Sequence, residues 1–99
     1  MKKKVQIEIG SYVVVTTSYR GVFGGKLVSR ENDEVTLAEA RVCFYWSQET
    51  RGFVGLAVTG PKLGSRVSPA SSIMTIPNVT AIIVCTDTAQ KQWEAELWS

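Results

Sequence analysis

The chain has 99 residues, of which 44% are hydrophobic and 20% are charged, and its formal net charge is +2. This balance is that of an ordinary folded chain, and the length suits one domain with one modest core. The charge is too small to indicate nucleic-acid binding by itself. Because the sequence has no histidine and only two separated cysteines, we expect no metal site, no cofactor and no catalysis.

The first part of the chain predicts a series of short β-strands. The segment "VQIEI" (5–9) alternates apolar and polar residues, which is typical of a strand. The segment "SYVVVTT" (11–17) is β-branched and apolar on both faces, so we expect it in the centre of a sheet. Gly24 and Gly25 lie inside the next strand. Adjacent glycines there indicate a bulge or a sharp bend, which helps a small sheet to curl into a barrel.

An acidic turn and a long strand come next. The turn "ENDE" (31–34) is predicted because Asn32 and Asp33 tolerate a left-handed backbone. The segment "EVTLAEARVCFYW" (34–46) then runs unusually long. Its apolar residues share one face only if a bulge near Glu39 absorbs the shift in phase.

Residues 46–72 form a glycine-punctuated stretch that is too long for a simple hairpin, and we interpret it as an inserted arm. Within it, "GFVGLAVTG" (52–60) predicts either one turn of helix or a short strand. The segment "SSIMTIPNVTAIIVCT" (71–86) follows and predicts two short strands interrupted by Pro77 and Asn78.

The last predicted element is a short helix over residues 87–98. Asp87 and Gln90 have the spacing of a capping box, with Asp87 as the N-cap. One face of this helix is apolar and should pack on the barrel or on a neighbouring subunit; it carries Ala89, Trp93 and Leu97.

The sequence also predicts the cellular location of the protein and the state of its two cysteines. No window approaches the 18 apolar residues of a membrane span, and the basic start of the chain leads into a predicted strand, so we expect a cytoplasmic protein without membrane contact. Cys43 and Cys85 sit in apolar strand-like runs, which favours buried free thiols over a disulfide or a metal site.

Together these elements predict a mainly β protein: one domain over 1–99, built as a small, strongly bent β-barrel with the inserted arm and a short C-terminal α-helix. Residues 10–44, "GSYVVVTTSYRGVFGGKLVSRENDEVTLAEARVCF", resemble the first half of an Sm-like barrel. The shared pattern is a strand, a turn, a glycine-bent strand, an acidic turn and a strand rich in Leu and Ala. Other SH3-like barrels have the same pattern.

The Sm-like resemblance implies one possible function. In Sm-like rings an aromatic residue and a cation in a turn can bind RNA. In this sequence Tyr19 and Arg20 would fill those positions, with Lys26 and Arg30 nearby. An ordinary polar hairpin is the alternative interpretation of the same residues.

A second resemblance covers most of the chain. The order "ARVCFYWS", then a glycine-rich insert with "GLAVTG", then "VTAIIVCTDTAQKQW", is similar to small proteins encoded by tailed bacteriophages and prophages. The resemblance implies a viral origin and a location in the host cytoplasm. Small phage proteins of this size include anti-defence oligomers that sequester cyclic nucleotide signals.

The arm is also the candidate binding site. It combines flat aromatic side chains, cations, hydroxyls and a glycine whose N–H could approach an anion, which is the chemistry that stacks a base and clamps a phosphate. The candidate ligand-binding residues are Tyr45, Trp46, Thr50, Arg51, Gly60, Lys62, Ser65 and Arg66. Alternatively, Tyr45 and Trp46 belong to the core and the apolar arm packs against a neighbouring subunit.

From these patterns we expect a non-catalytic, phage-type binding protein that forms a homo-oligomer and sequesters a small anionic ligand such as a cyclic nucleotide immune signal. Two alternatives remain open. The first is an Sm-like module for RNA or DNA, whose affinity would fall steeply with salt. The second is an inhibitor that blocks a host defence protein through the arm.

Overall fold

The computed structural model describes residues 7–18, 21–45, 52–62 and 65–95, with only the backbone of Phe44 and Tyr45. The fold is mainly β with a C-terminal helix, as predicted from the sequence. Of the two alternatives for 52–60, the helix is observed, over Gly52–Val58. In chain order the elements are β1 Tyr12–Thr17, β2 Val22–Glu31, β3 Glu34–Tyr45, α1 Gly52–Val58, β4 Arg66–Val67, β5 Ser71–Ile76, β6 Val79–Val84 and α2 Asp87–Glu94.

The six strands form one antiparallel sheet in the order β4-β3-β2-β1-β6, with β5 also paired to β3. Strands β5 and β6 therefore lie at opposite edges of the sheet, yet only Pro77 and Asn78 separate them in the chain. So short a link requires the sheet to curl until β5 and β6 approach each other. The result is the small barrel-like fold that was predicted, while the closer resemblance to Sm-like barrels stays a prediction.

Strand β1 lies between β2 and β6 and is buried on both faces, which confirms its predicted central position. Val13 and Val15 face the core inside the curled sheet, with Leu27, Val35, Leu37, Ala40 and Ile76. Tyr12 and Val14 face a second core on the opposite side, with Val22, Cys43, Leu56, Ala57, Val67 and Trp93. The helices and β4 thus cover the outer side of the sheet and complete the second core.

The bulge predicted near Glu39 is present. The β2–β3 ladder shifts register between the pairs Gly24–Arg41 and Lys26–Ala38, and Glu39 has a left-handed backbone with φ 51°. The extra residue changes the phase of the strand. Apolar side chains on both sides of the bulge therefore enter the same core, namely Val35, Leu37 and Ala40.

Two tight links are formed by asparagines with positive φ. Asn32 has φ 55° in the turn between β2 and β3, and Asn78 has φ 58° in the link between β5 and β6. Asparagine tolerates this conformation better than most residues because its short polar side chain can bond locally. Both the predicted acidic turn and the predicted interruption at Pro77 are confirmed.

The first predicted strand, over 5–9, is wrong in the part that the structure describes. Ser11 donates its N–H to the carbonyl of Glu8, and Gly10 has φ 96°, so the chain makes a turn immediately before β1. Residues 1–6 lie outside the described residues. The alternation of apolar and polar residues did not reveal this turn, because these residues are compatible with a turn as well as with a strand.

The N-cap of α2 is Thr86, which corrects the prediction of Asp87. The Thr86 hydroxyl accepts the N–H of Ala89 at 3.0 Å, as an N-cap side chain does for the third helical residue. Asp87 is the first helical residue, where its negative charge interacts favourably with the helix dipole.

Helix α2 buries Ala89 and Trp93, which confirms the predicted apolar face for these two residues. The helix ends at Glu94, earlier than the predicted range of 87–98, and Leu97 lies outside the described residues. Within the described part of the chain, no helix is long and apolar enough to cross a bilayer.

Candidate functional site

The inserted segment leaves strand β3 and returns to it. Tyr45 at the end of β3 pairs with Arg66 at the start of β4. Ser68 then binds Val42 twice: its N–H donates to the Val42 carbonyl at 2.8 Å, and its hydroxyl accepts the Val42 N–H at 2.9 Å. The structure therefore brings two predicted site residues, Tyr45 and Arg66, to paired positions on neighbouring strands.

Two predicted cations flank a turn next to this pair. The N–H of Ser65 donates to the carbonyl of Lys62 at 2.9 Å, which closes a turn just before Arg66. Lys62 and Arg66 are exposed, whereas Ser65 is buried. Two of the three predicted polar groups can thus meet a ligand from solvent, and the Ser65 side chain faces the protein.

Gly60 is held by contacts within the protein. Its N–H donates to the carbonyl of Gly55 at 3.1 Å and closes the end of α1. It has φ 79°, and a Cβ atom at this position would lie 2.5 Å from Cβ of Gln92 and 2.9 Å from the carbonyl oxygen of Ala89. The glycine therefore lets α1 and α2 approach closely, and a ligand contact through its N–H stays a prediction.

Three predicted site residues, Trp46, Thr50 and Arg51, lie outside the described residues, as do Tyr19 and Arg20 of the alternative RNA site. Stacking on Trp46 therefore stays a prediction.

On the alternative RNA surface, Lys26 forms an ion pair with Glu39 at 3.1 Å, and Arg30 is exposed. Because Glu39 offsets the charge of Lys26, this surface is less positive than its sequence indicates.

The middle of the insert packs on the barrel of its own chain. Leu56 and Ala57 of α1 are fully buried in the outer core. The indole Nε1 of Trp93 donates to the carbonyl of Leu56 at 3.0 Å, and the Thr86 hydroxyl donates to the carbonyl of Val58 at 2.6 Å. The inner face of α1 is thus part of the fold.

A largely buried arginine lies at the same edge of the barrel. Arg41 on β3 is only 8% exposed, and its Nη1 donates to the carbonyl of Ser68 at 3.2 Å. No carboxylate among the described residues lies within ion-pair distance of this guanidinium. Since a guanidinium carries five N–H donors, Arg41 retains donors that the described protein groups do not use.

The hydroxyl of Tyr12 is a second donor on that face of the sheet. It is buried and has no hydrogen-bond partner among the described residues. Burial raises its pKa above the ordinary value, and the positive charge of Arg41 offsets this in part; Cys85, Glu94 and Glu39 raise the pKa further. The hydroxyl therefore keeps its proton and remains a donor at neutral pH.

Tyr12 and Arg41 are placed on this face by the register of β2. Tyr12 pairs with Lys26 and Arg41 pairs with Gly24, two positions apart on β2, so both side chains lie on the same side of the sheet. Arg41 was not among the predicted site residues. The available signal was a single charge within the apolar run "ARVCFYW" (40–46), since a charge there is either at an edge or buried for a purpose.

The described residues offer little support for a metal site or for a reactive thiol. They contain no cluster of three or more histidine, cysteine or acidic side chains that could hold a metal ion. Neither cysteine forms a disulfide; Cys43 is buried and Cys85 is half-buried. Burial raises the pKa of the Cys85 thiol to about 12, so this thiol is a weak nucleophile at neutral pH.

Comparison with known proteins gives a family. No curated protein and no solved structure matches the chain. Residues 10–93 match a family described as a domain of unknown function, DUF6948. The match begins just before β1, ends within α2, and includes the whole insert. Because it spans most of the 99 residues, the chain belongs to the DUF6948 family.

Proposed function

We propose that the protein is a non-catalytic binding protein that holds a small anionic ligand where the insert leaves and rejoins β3. The observation that carries this proposal is Arg41, a residue that is only 8% exposed and whose guanidinium has one carbonyl contact and no carboxylate partner among the described residues. A charge that is partly withdrawn from water is stabilised by an anionic, hydrogen-bonded partner. A ligand oxyanion would supply the missing partner and can accept two parallel N–H bonds from arginine.

The neighbouring groups suit such a ligand. Arg66 lies two residues before Ser68, the residue that Arg41 contacts, and Lys62 lies across the adjoining turn. These exposed cations would attract an anion from solvent, while the Arg41 guanidinium would fix its position. The Tyr12 hydroxyl adds a neutral donor on the Arg41 face of the sheet.

The ligand class that we propose is a cyclic nucleotide, in keeping with the resemblance to small phage proteins. Tyr45 and Trp46 would stack the base, which is worth roughly 1–3 kcal/mol per base. Thr50 and Arg51 would add contacts from the first part of the insert. In this proposal the protein acts in the host cytoplasm as an anti-defence protein that removes an immune signal by binding it.

Titration calorimetry tests the proposal. Wild-type protein is titrated with cyclic mononucleotides, cyclic dinucleotides and inorganic phosphate, and the best ligand is repeated with the Arg41→Met variant. Methionine keeps the apolar stem and removes the charge. Loss of charge-assisted hydrogen bonds worth roughly 1.5–3 kcal/mol should weaken binding by about 10- to 100-fold.

The matched control is Arg30→Met, which removes an exposed charge from the far end of β2. It should leave the affinity within about twofold, as expected for an exposed charge screened by salt. Equal affinity of wild type and Arg41→Met would overturn the assignment of Arg41, and no binding of any ligand in the panel would overturn the proposed function.

Calorimetry at several salt concentrations separates this proposal from the nucleic-acid alternative. A protein that neutralises several phosphates of RNA loses affinity steeply as salt rises, whereas a compact ligand held by one guanidinium and by stacking has a shallow dependence. Tight binding of a short RNA with a steep salt slope, unaffected by Arg41→Met, would favour the Sm-like module.

A further inference from the structure

Helix α1 is apolar on all sides. Its sequence Gly-Phe-Val-Gly-Leu-Ala-Val contains no polar side chain, with no acid in the first turn and no base in the last. One side buries Gly55, Leu56 and Ala57 against the barrel of the same chain. The other side leaves large apolar side chains uncovered: Phe53 is 44% exposed, Val54 53% and Val58 51%. A helix that is apolar all round is normally buried on every side.

The helix cannot roll to hide this outer side. Its backbone is bound at three successive carbonyls: Leu56 accepts from the Trp93 indole, Ala57 accepts from the Thr86 N–H at 2.9 Å, and Val58 accepts from the Thr86 hydroxyl. Rolling the helix would break these bonds and uncover Leu56. The described residues therefore leave the outer side of α1 exposed.

We infer that a second copy of this chain covers the outer side of α1, with the two α1 helices packed against each other around a two-fold axis. In such an interface each surface meets its own copy, so any charge near the axis would face a like charge. Helix α1 carries none. An acidic or basic partner would in turn find no charge to pair with on α1.

The spacing of the exposed residues fits this arrangement. Val54 and Val58 are one helical turn apart and form a ridge, beside Phe53. Ridges at this spacing pack into the grooves of a facing helix. Three half-exposed side chains supply only part of the roughly 800 Å² per partner in a standard interface, so we expect a dimer that dissociates on dilution.

Analytical ultracentrifugation over a dilution series tests the interface. Wild-type protein should pass from dimer to monomer as it is diluted. Val54→Glu should be monomeric at every concentration, because a two-fold axis would bring its two carboxylates together. Val28→Glu is the control, since Val28 is also an exposed apolar residue but lies on β2, and it should keep the wild-type dissociation constant.

A cross-linking variant keeps the test decisive if Val54→Glu fails to fold. Val54→Cys should form an intermolecular disulfide in mild oxidant, seen as a dimer on a non-reducing gel, whereas Val28→Cys should not. A wild type that is monomeric at all concentrations would overturn the inference. So would an oligomer whose mass is the same in Val54→Glu, or cross-linking that is equal in the two cysteine variants.

Discussion

The indole ring of Trp93 lies directly on the backbone of Gly24. A Cβ atom at this position would be 2.7 Å from the indole Cδ2 and Cε3 atoms, so no residue larger than glycine fits there without a shift of the ring. The contact explains why β2 has a glycine in its interior: helix α2 packs its largest side chain flat on the strand. It also joins the last helix of the chain to an early strand.

This contact predicts the effect of Gly24→Ala. The added methyl group must push the indole away, and overpacking of this kind costs about 1–3 kcal/mol of unfolding free energy. Urea denaturation followed by circular dichroism measures the loss. In a Trp93→Leu background the same substitution should cost much less, because the ring is gone. An equal cost in both backgrounds would show that strand geometry, and not the ring, requires the glycine.

Thr86 links the two helices, and its hydroxyl serves both. It accepts the N–H of Ala89 and donates to the carbonyl of Val58. We expect Thr86→Ala to lower the unfolding free energy by about 1–2 kcal/mol, since a lost N-cap alone costs about 1 kcal/mol. Thr86→Ser should retain most of the stability. Thr88→Ala, on the exposed side of α2, is the control and should be neutral or slightly stabilising.

Tyr12 should show opposite effects on stability and on binding. Its buried hydroxyl has no partner among the described residues, so Tyr12→Phe removes a polar group that is desolvated without compensation. We expect the unfolding free energy to stay the same or to rise by about 1 kcal/mol. If the hydroxyl donates to the ligand as proposed, the same variant should bind more weakly in calorimetry. A large loss of stability would mean that the hydroxyl has a partner in the folded protein.

The half-buried thiol of Cys85 predicts a loss of stability at alkaline pH. Burial raises the pKa of Cys85 from its ordinary value of 9.0 to about 12. Between these values the folded state keeps a proton that the unfolded state has lost, so stability is fully present below about pH 9 and falls as the pH rises towards 12. Unfolding free energies measured from pH 8 to 11 should fall more steeply in wild type than in Cys85→Ala.

Tyr12 acts in the same direction at alkaline pH, because burial also raises its pKa. The double variant Tyr12→Phe/Cys85→Ala should therefore have the flattest profile. A wild-type profile that is already flat above pH 9 would contradict the raised pKa of both groups.

Much of the sheet could be predicted from local patterns. The apolar run of β1, the asparagine turn after β2 and the bulge at Glu39 each follow from residue types whose backbone preferences are strong. The N-cap was misplaced by one residue because Thr86 and Asp87 are both good capping residues and only the geometry decides between them.

The candidate site was less predictable because it depends on contacts between distant residues. The exposed cations Lys62 and Arg66 could be found by composition alone. The hydrogen bond of the Arg41 guanidinium is to the backbone of Ser68, which follows β4 and is 27 residues away in the chain. Gly60 was interpreted as a ligand-binding glycine, while its closest neighbours are on α2. Sequence patterns reveal which residue types are present, whereas their partners are set by tertiary packing.

The return of the insert to the strand that it left has a consequence for engineering. With Tyr45 opposite Arg66 and Ser68 bonded to Val42, both ends of the segment are anchored at one point of the sheet. Added length between them would not change the strand register, and doubling a flexible loop costs only about 0.6 kcal/mol. The barrel can therefore serve as a scaffold for grafted peptides in this segment, provided that the graft keeps α1 to close the outer core.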